Sequence, residues 1–271
     1  MICRARSGTA TAGTCEKKVD REWIMANSVK HGIFITGTDT AVGKTLVTAA
    51  LAWSLKELGL DVGVMKPVET GVVKSRPSDA GRLTRAAQVS DLPDLVRPYA
   101  FRLPVAPLDA ARAERRTIKI PTIMRAYRQL QAQHDLLFIE GVGGVHVPIT
   151  PTMDVLDLIE KLKASVLVVG RVGLGGVNHA LLTLNALRER QVPILALVLN
   201  QTMSVKTEVT RRQERSTLEL LRASAGVPVI GPLPYMAGVD ARFEWAVGKL
   251  AANSEMKKLT KLVQASARGT R

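Results

Sequence analysis

Short apolar runs alternate with stretches of helical periodicity along most of this chain. The runs lie at residues 33–35, 61–67, 135–140, 165–170, 193–200 and 227–231. They are rich in Val, Ile and Leu with little polar alternation, the pattern of strands covered on both faces. Between the first two, residues 45–58 repeat apolar side chains at Leu46, Ala49, Ala50, Trp53, Leu55 and Leu58, and Gly59 follows as a C-cap. Ser78 and Asp79 open a helix through Gln88, and further helices are predicted over 121–134, 153–162, 178–190 and 208–225. Residues 67–76 read as a surface loop, and 92–107 as an irregular, Pro-rich stretch. Strands alternating with helices predict an α/β fold: a mostly parallel central sheet flanked by helices on both faces. The carboxyl ends of such strands gather at one edge, where ligands bind.

Residues 1–30 show no sustained periodicity and no apolar core of a secretory signal, so they read as a disordered leader or an upstream start. Residues 31–250 read as a single domain. Residues 251–271 read as a basic C-terminal tail, partly helical, with Leu259, Leu262 and Val263 among lysines.

The stretch HGIFITGTDTAVGKTLVT, from His31 to Thr48, carries the clearest chemistry. A strand breaks into the loop Gly37, Thr38, Asp39, Thr40, Ala41, Val42, Gly43, and Lys44-Thr45 opens a helix. Loop amides and a helix N-terminus converge on an anion, Lys44 adds a point charge, and the Thr45 hydroxyl is placed to ligand Mg²⁺. The glycine spacing is shifted: the usual phosphate loop has Gly where this chain has Thr38, and Gly37 comes one residue early.

Composition narrows the setting. Of 271 residues, 46% are hydrophobic but only 4% aromatic, so the core must be aliphatic. No apolar run is long enough to cross a bilayer. Cys3 and Cys15 both precede the first strand without metal-type spacing, which sets aside disulfide, zinc and thiol chemistry and makes a reducing cytoplasm the expectation. The net charge of +14 is spread over separate helices and the tail with few aromatics interleaved. That reads as a solvated surface that steers anions; nucleic acid and membrane are not expected partners.

Four strand ends carry polar residues expected at one edge: Gly37 to Thr45, Lys66 to Thr70, Glu140 to Gly144, and the Gly-rich stretch at 173–178. Glu140 closes an apolar strand, so it is an isolated buried charge, a surface carboxylate capping the next turn, or a ligand for something positive; beside a phosphate loop the natural positive partner is Mg²⁺. Lys66 ends another strand and is suited to holding an anion that develops during reaction. Asp79 by itself reads as a plain helix cap, and becomes a metal candidate only because Mg²⁺ wants a second carboxylate.

Taken in order, GTDTAVGKT, KPVETG, an SDA segment, IEGVGG and VVGRVGLGGVNHA resemble the dethiobiotin synthetase family, P-loop proteins with atypical phosphate loops. The resemblance runs from about Gly32 to Pro234. It implies an ATP- and Mg²⁺-dependent ligase that closes a cyclic urea from 7,8-diaminononanoate and CO₂ by way of a carbamate. It implies phosphate contacts from Lys44 and Thr40, and Mg²⁺ held by Thr45, Asp79 and Glu140. Lys66 and Thr70 would meet the carbamylated substrate beside Gly141, Gly143 and Gly144. Asn200 would read the adenine with the turn at Pro232, Leu233 and Pro234. Leu174, Gly175, Gly176, Val177 and Asn178 would bind the substrate carboxylate across a homodimer interface. Ala41 stands where some members carry Glu, and residues 202–215 lack a tyrosine that some members place near the carboxylate; Arg211, Arg212 or Arg215 would substitute.

Two other readings bear on the same motif. An amide synthase of the cobyrinate type requires a nucleophilic Cys, and none follows Cys15. A partitioning or septum-type ATPase, an interaction protein, carries a second lysine early in the loop where this chain has Asp39. An amphipathic membrane-targeting C-terminal helix would favour that reading.

Overall fold

The computed structural model describes residues 32–268. The expected leader with Cys3 and Cys15, His31, and the last three residues lie outside that range. The six apolar runs become β1 (Ile33–Gly37), β2 (Val62–Met65), β3 (Leu136–Glu140), β4 (Ser165–Arg171), β5 (Ile194–Asn200) and β6 (Val229–Leu233). They form one sheet in the order β6-β5-β4-β1-β3-β2, with every neighbouring pair parallel. The chain steps from β1 to the edge strand β2, returns to β3, and then passes to the other side of β1. Direction therefore reverses around β1, which is where open α/β sheets leave a crevice at their carboxyl edge.

Eight helices of eight residues or more are described: α1 (Lys44–Glu57), α2 (Asp79–Ala87), α3 (Ile120–Gln133), α4 (Val155–Leu162), α5 (Gly176–Glu189), α6 (Glu208–Ser224), α7 (Phe243–Ala251) and α8 (Ser254–Arg268). Successive strand residues point to opposite faces. Ile33, Ile35, Phe138, Leu167 and Val169 pack under α1, α2, α7 and α8. Phe34, Leu137, Ile139, Val166 and Val168 pack under α3, α4, α5 and α6. With both faces covered, neither set alternates with polar residues, and each fully buried Val, Leu or Ile contributes about 1.5–3 kcal/mol. The parallel sheet flanked on both faces is the architecture expected from the sequence pattern.

The departures are local. Residues 67–76 are not wholly a surface loop: Val68–Glu69 pairs in parallel with Tyr99–Ala100, and both Val68 and Glu69 are buried. The stretch at 92–107 accordingly holds a short helical turn, Pro93–Val96, before that pairing, and Pro107–Ala113 is helical. The helix expected from Met153 starts at Val155. Asp154 accepts a hydrogen bond from Asp157 N (2.9 Å) and Asp157 accepts one from Asp154 N (3.0 Å), a reciprocal cap that fixes the start. Met153–Asp154 instead pairs antiparallel with Pro148–Thr150. In α8, Met256, Leu259 and Val263 are fully buried among residues of α1 and β6, so the apolar face of this basic segment is spent inside the core.

Candidate active site

The turn from β1 into α1 owes its shape to glycine at two places. An added Cβ on Gly37 would lie 2.7 Å from the Asp39 carbonyl oxygen and 2.8 Å from Lys44 Nζ. Thr38 meanwhile extends the β1–β4 ladder through its N–H to Val169 O (2.9 Å), and its methyl packs over Gly170. The small residue is thus required at 37 rather than 38, which accounts for the shifted spacing. Gly43, the N-cap of α1, has φ 89°, and Ala41 also has a positive φ, 54°. Asp39 shapes the turn through its carboxylate, which accepts from Thr40 N (2.7 Å). Lys44 folds back so that Nζ donates to Asp39 O (3.0 Å). Burial, and then the charge of Lys66, lower its pKa to about 8.

Beside this loop lies a buried charge cluster. Glu140, at the end of β3, is 0% exposed; its Oε1 accepts from Lys66 Nζ at 2.5 Å and from Thr45 Oγ1 at 2.9 Å. Lys66 Nζ also donates to Gly141 O (3.1 Å) and lies 3.5 Å from Asp79 Oδ2. Burial alone would lower the Lys66 pKa, but the Glu140 and Asp79 carboxylates outweigh it and hold it above the ordinary lysine value. Glu140 Oε2 is buried with no partner among the described residues. A hydroxyl and two carboxylates, one with an unsatisfied oxygen, are hard donors that fit Mg²⁺.

Asn200 closes the other side. Its Nδ2 donates to Val42 O (3.1 Å), while its Oδ1 is buried without a partner among the described residues. A cavity of about 470 Å³ connects these parts: Thr40, Ala41, Gly43, Lys44 and Thr45 line it together with Lys66, Thr70, Asp79, Glu140, Gly143, Asn200 and Pro234. Gly144 packs against the Gly37 carbonyl behind the loop, Leu233 is buried, and Pro232 lines a different hollow. The segment of Leu174, Gly175, Gly176, Val177 and Asn178 is not part of this cavity. Gly175 caps α5 with φ 83°, and Leu174, Gly175, Val177 and Asn178 line a separate 740 Å³ groove with Val209, Arg212 and Leu220 of α6.

Two features of the cavity wall escaped the sequence. Glu69 is buried at the N-terminus of α2. Arg82 bridges to Asp240 at 2.9 Å and stacks over the Phe243 ring at 4.7 Å, drawing the segment before α7 across the cavity. Nothing local in the sequence marks a contact between residues 158 positions apart.

A family model described as "AAA domain" matches residues 31–242. The ATP-dependent dethiobiotin synthetase BioD of Anaeromyxobacter sp. Fw109-5 is 46% identical over 171 residues, which is 63% of this chain and 77% of that protein. The enzyme of the same name from Thermodesulfovibrio yellowstonii is 38% identical over 223 residues, 78% of this chain and 92% of that protein. Among solved structures, the MinC:MinD cell division protein complex of Aquifex aeolicus is similar at 15% identity, covering 88% of this chain and 94% of that one with a TM-score of 0.49, too low to bear on function. By sequence, this chain belongs to the ATP-dependent dethiobiotin synthetase family.

Proposed function

We infer that the protein is an ATP-dependent ligase that closes the ureido ring of dethiobiotin from 7,8-diaminononanoate and CO₂. The observation that carries this reading is one cavity in which the N-terminus of α1, with Lys44, faces a second buried lysine, Lys66. One amine of the substrate adds CO₂ and loses a proton to give a carbamate. A carbamate oxygen attacks the γ-phosphorus of ATP in line, releasing ADP and leaving a carbamic–phosphoric anhydride. The second amine then attacks the carbonyl, phosphate departs, and the ring closes. Loop amides from Gly37 to Thr45, with Lys44 and Thr40, would cradle the phosphates, and Lys66 with Thr70 would hold the carbamate. Asn200 Oδ1, buried and unpartnered among the described residues, is an acceptor available to the adenine amino group. Thr45, Asp79 and Glu140 would hold Mg²⁺, which when bound would neutralise charge on the phosphoryl oxygens.

The substrate carboxylate belongs, on this reading, at the N-terminus of α5 of a second subunit. Support comes from an apolar surface around that groove: Leu174 is 78% exposed, Val209 67% and Leu220 53%. The septum-type alternative loses support on two counts. Asp39 occupies the position of its second lysine, and the apolar side chains of α8 are committed to the core. No helix among the described residues is long and apolar enough to cross a membrane.

The test is ADP release in the presence of bicarbonate, with and without the diamine. Turnover should require the diamine; equal ADP release in its absence would overturn the assignment. Mixing Gly175→Glu with Lys44→Ala chains tests the shared site. One of the two heterodimer sites escapes both lesions, so activity should return, and none after verified exchange would refute sharing.

A further inference from the structure

Glu69 lies three residues beyond Lys66 and immediately before Thr70, yet it faces away from solvent, 5% exposed. Its carboxylate takes the amides that open α2: Oε1 accepts from Asp79 N at 2.6 Å, and Oε2 from Ala80 N at 3.5 Å. The guanidinium of Arg97 completes the set, donating to Oε2 at 2.8 Å. Ser78 already caps the helix by accepting from Gly81 N at 3.1 Å. A serine cap alone would start this helix; a buried carboxylate needs a buried cation and costs free energy unless fully bonded. What Glu69 adds is a fixed position for the backbone of Asp79, whose own carboxylate stands 3.5 Å from Lys66 Nζ. The Glu69–Arg97 pair therefore joins the segment that ends in Thr70 to the helix that presents Asp79.

We propose that Glu69, held by Arg97, is a positioning residue that sets the placement of the Asp79 carboxylate and through it the affinity of the site for a divalent cation. This rests on the assignment of Asp79 to the cation under the proposed function. Groups that orient a ligand without touching the metal typically change metal affinity by 10–100-fold when altered.

The experiment is direct Mn²⁺ binding in the presence of ADP, read from the electron paramagnetic resonance signal of free Mn²⁺, for four proteins: wild type, Asp79→Asn, Glu69→Gln and the double variant. Glu69→Gln should weaken Mn²⁺ about tenfold, and the double variant should bind no more weakly than Asp79→Asn alone, because both changes act through one carboxylate. Unchanged Mn²⁺ affinity in Glu69→Gln, with Asp79→Asn weakened, overturns the positioning role and leaves the metal assignment standing. So does a double variant in which the two losses multiply. Unchanged affinity in Asp79→Asn overturns the metal assignment itself, and the proposal with it. If Glu69→Gln does not fold, Arg97→Gln perturbs the same carboxylate from its more exposed side. It should weaken Mn²⁺ several-fold while Arg97→Lys stays nearer to wild type, and equal, wild-type affinity in both refutes the role.

Discussion

Gly43→Ala probes how the phosphate loop is held to the rest of the site. Gly43 adopts φ 89°, and an L-residue in the left-handed region costs about 1–2 kcal/mol. Its new Cβ would overlap Asn200 Nδ2, so the Asn200 amide must swing away and its 3.1 Å hydrogen bond to Val42 O is lost. Val42 is buried, and a buried acceptor deprived of its donor costs about 1–3 kcal/mol. The sum is about 2–5 kcal/mol, which for a domain of this size lowers the melting temperature by roughly 5–15 °C. Thermal unfolding of Gly43→Ala, Asn200→Ala and the double variant measures it. Both single changes break the same bond, so the double variant should lose less than the sum, by about 1–3 kcal/mol. Full additivity, or a Gly43→Ala melting temperature within about 1 °C of wild type, would refute the clamp between Asn200 and the loop.

Three further outcomes follow. Because the Lys44 pKa is lowered to about 8, its ammonium is a strained charge in the fold below that pH, and the penalty fades as pH rises from about 8 toward the ordinary lysine value. Lys44→Met should thus be the more stable protein at pH 7, by up to about 3 kcal/mol, with the difference shrinking by pH 10; a constant difference across that range contradicts the lowered pKa. Calorimetric ADP affinity of the wild type should fall as pH rises through about 8 and that of Lys44→Met should not, whereas parallel profiles would remove Lys44 from the phosphate site. Leu259 is fully buried in α8, so Leu259→Ala should cost about 2–5 kcal/mol in urea unfolding, and a change under about 0.5 kcal/mol would mean α8 is not part of the core.

The architecture was legible because parallel strands buried on both faces leave uninterrupted Val, Ile and Leu runs, and Gly-Lys-Thr at 43–45 falls at the first strand–helix turn. Sheet order was not legible, since the pairing of β1 with β3 and β4 joins residues more than a hundred positions apart and leaves no local trace. The meaning of Gly37 became readable only when Lys44 Nζ and Asp39 O were found in the space a side chain would need. Glu69 read as part of a surface loop because a two-residue strand is too short to show alternation; its burial depends on Arg97, 28 positions on. α7 was missed although Phe243, Ala246, Val247 and Leu250 recur at helical spacing; in the tail, read only as basic and partly helical, a few apolar residues are set among many charges. Yet Met256, Leu259 and Val263 keep the helical spacing that places them on one face.

On the proposed chemistry, one ATP is spent to convert a carbamate into a ring carbonyl. Incubating the enzyme with ¹³C-bicarbonate, ATP and 7,8-diaminononanoate, and following product mass together with ADP and phosphate, tests it directly. The expected product is a cyclic urea one mass unit heavier than its unlabelled form, with one ADP and one phosphate released per ring, and none from Lys44→Ala. ADP released without a labelled ring, or a labelled ring formed without ATP, would contradict it.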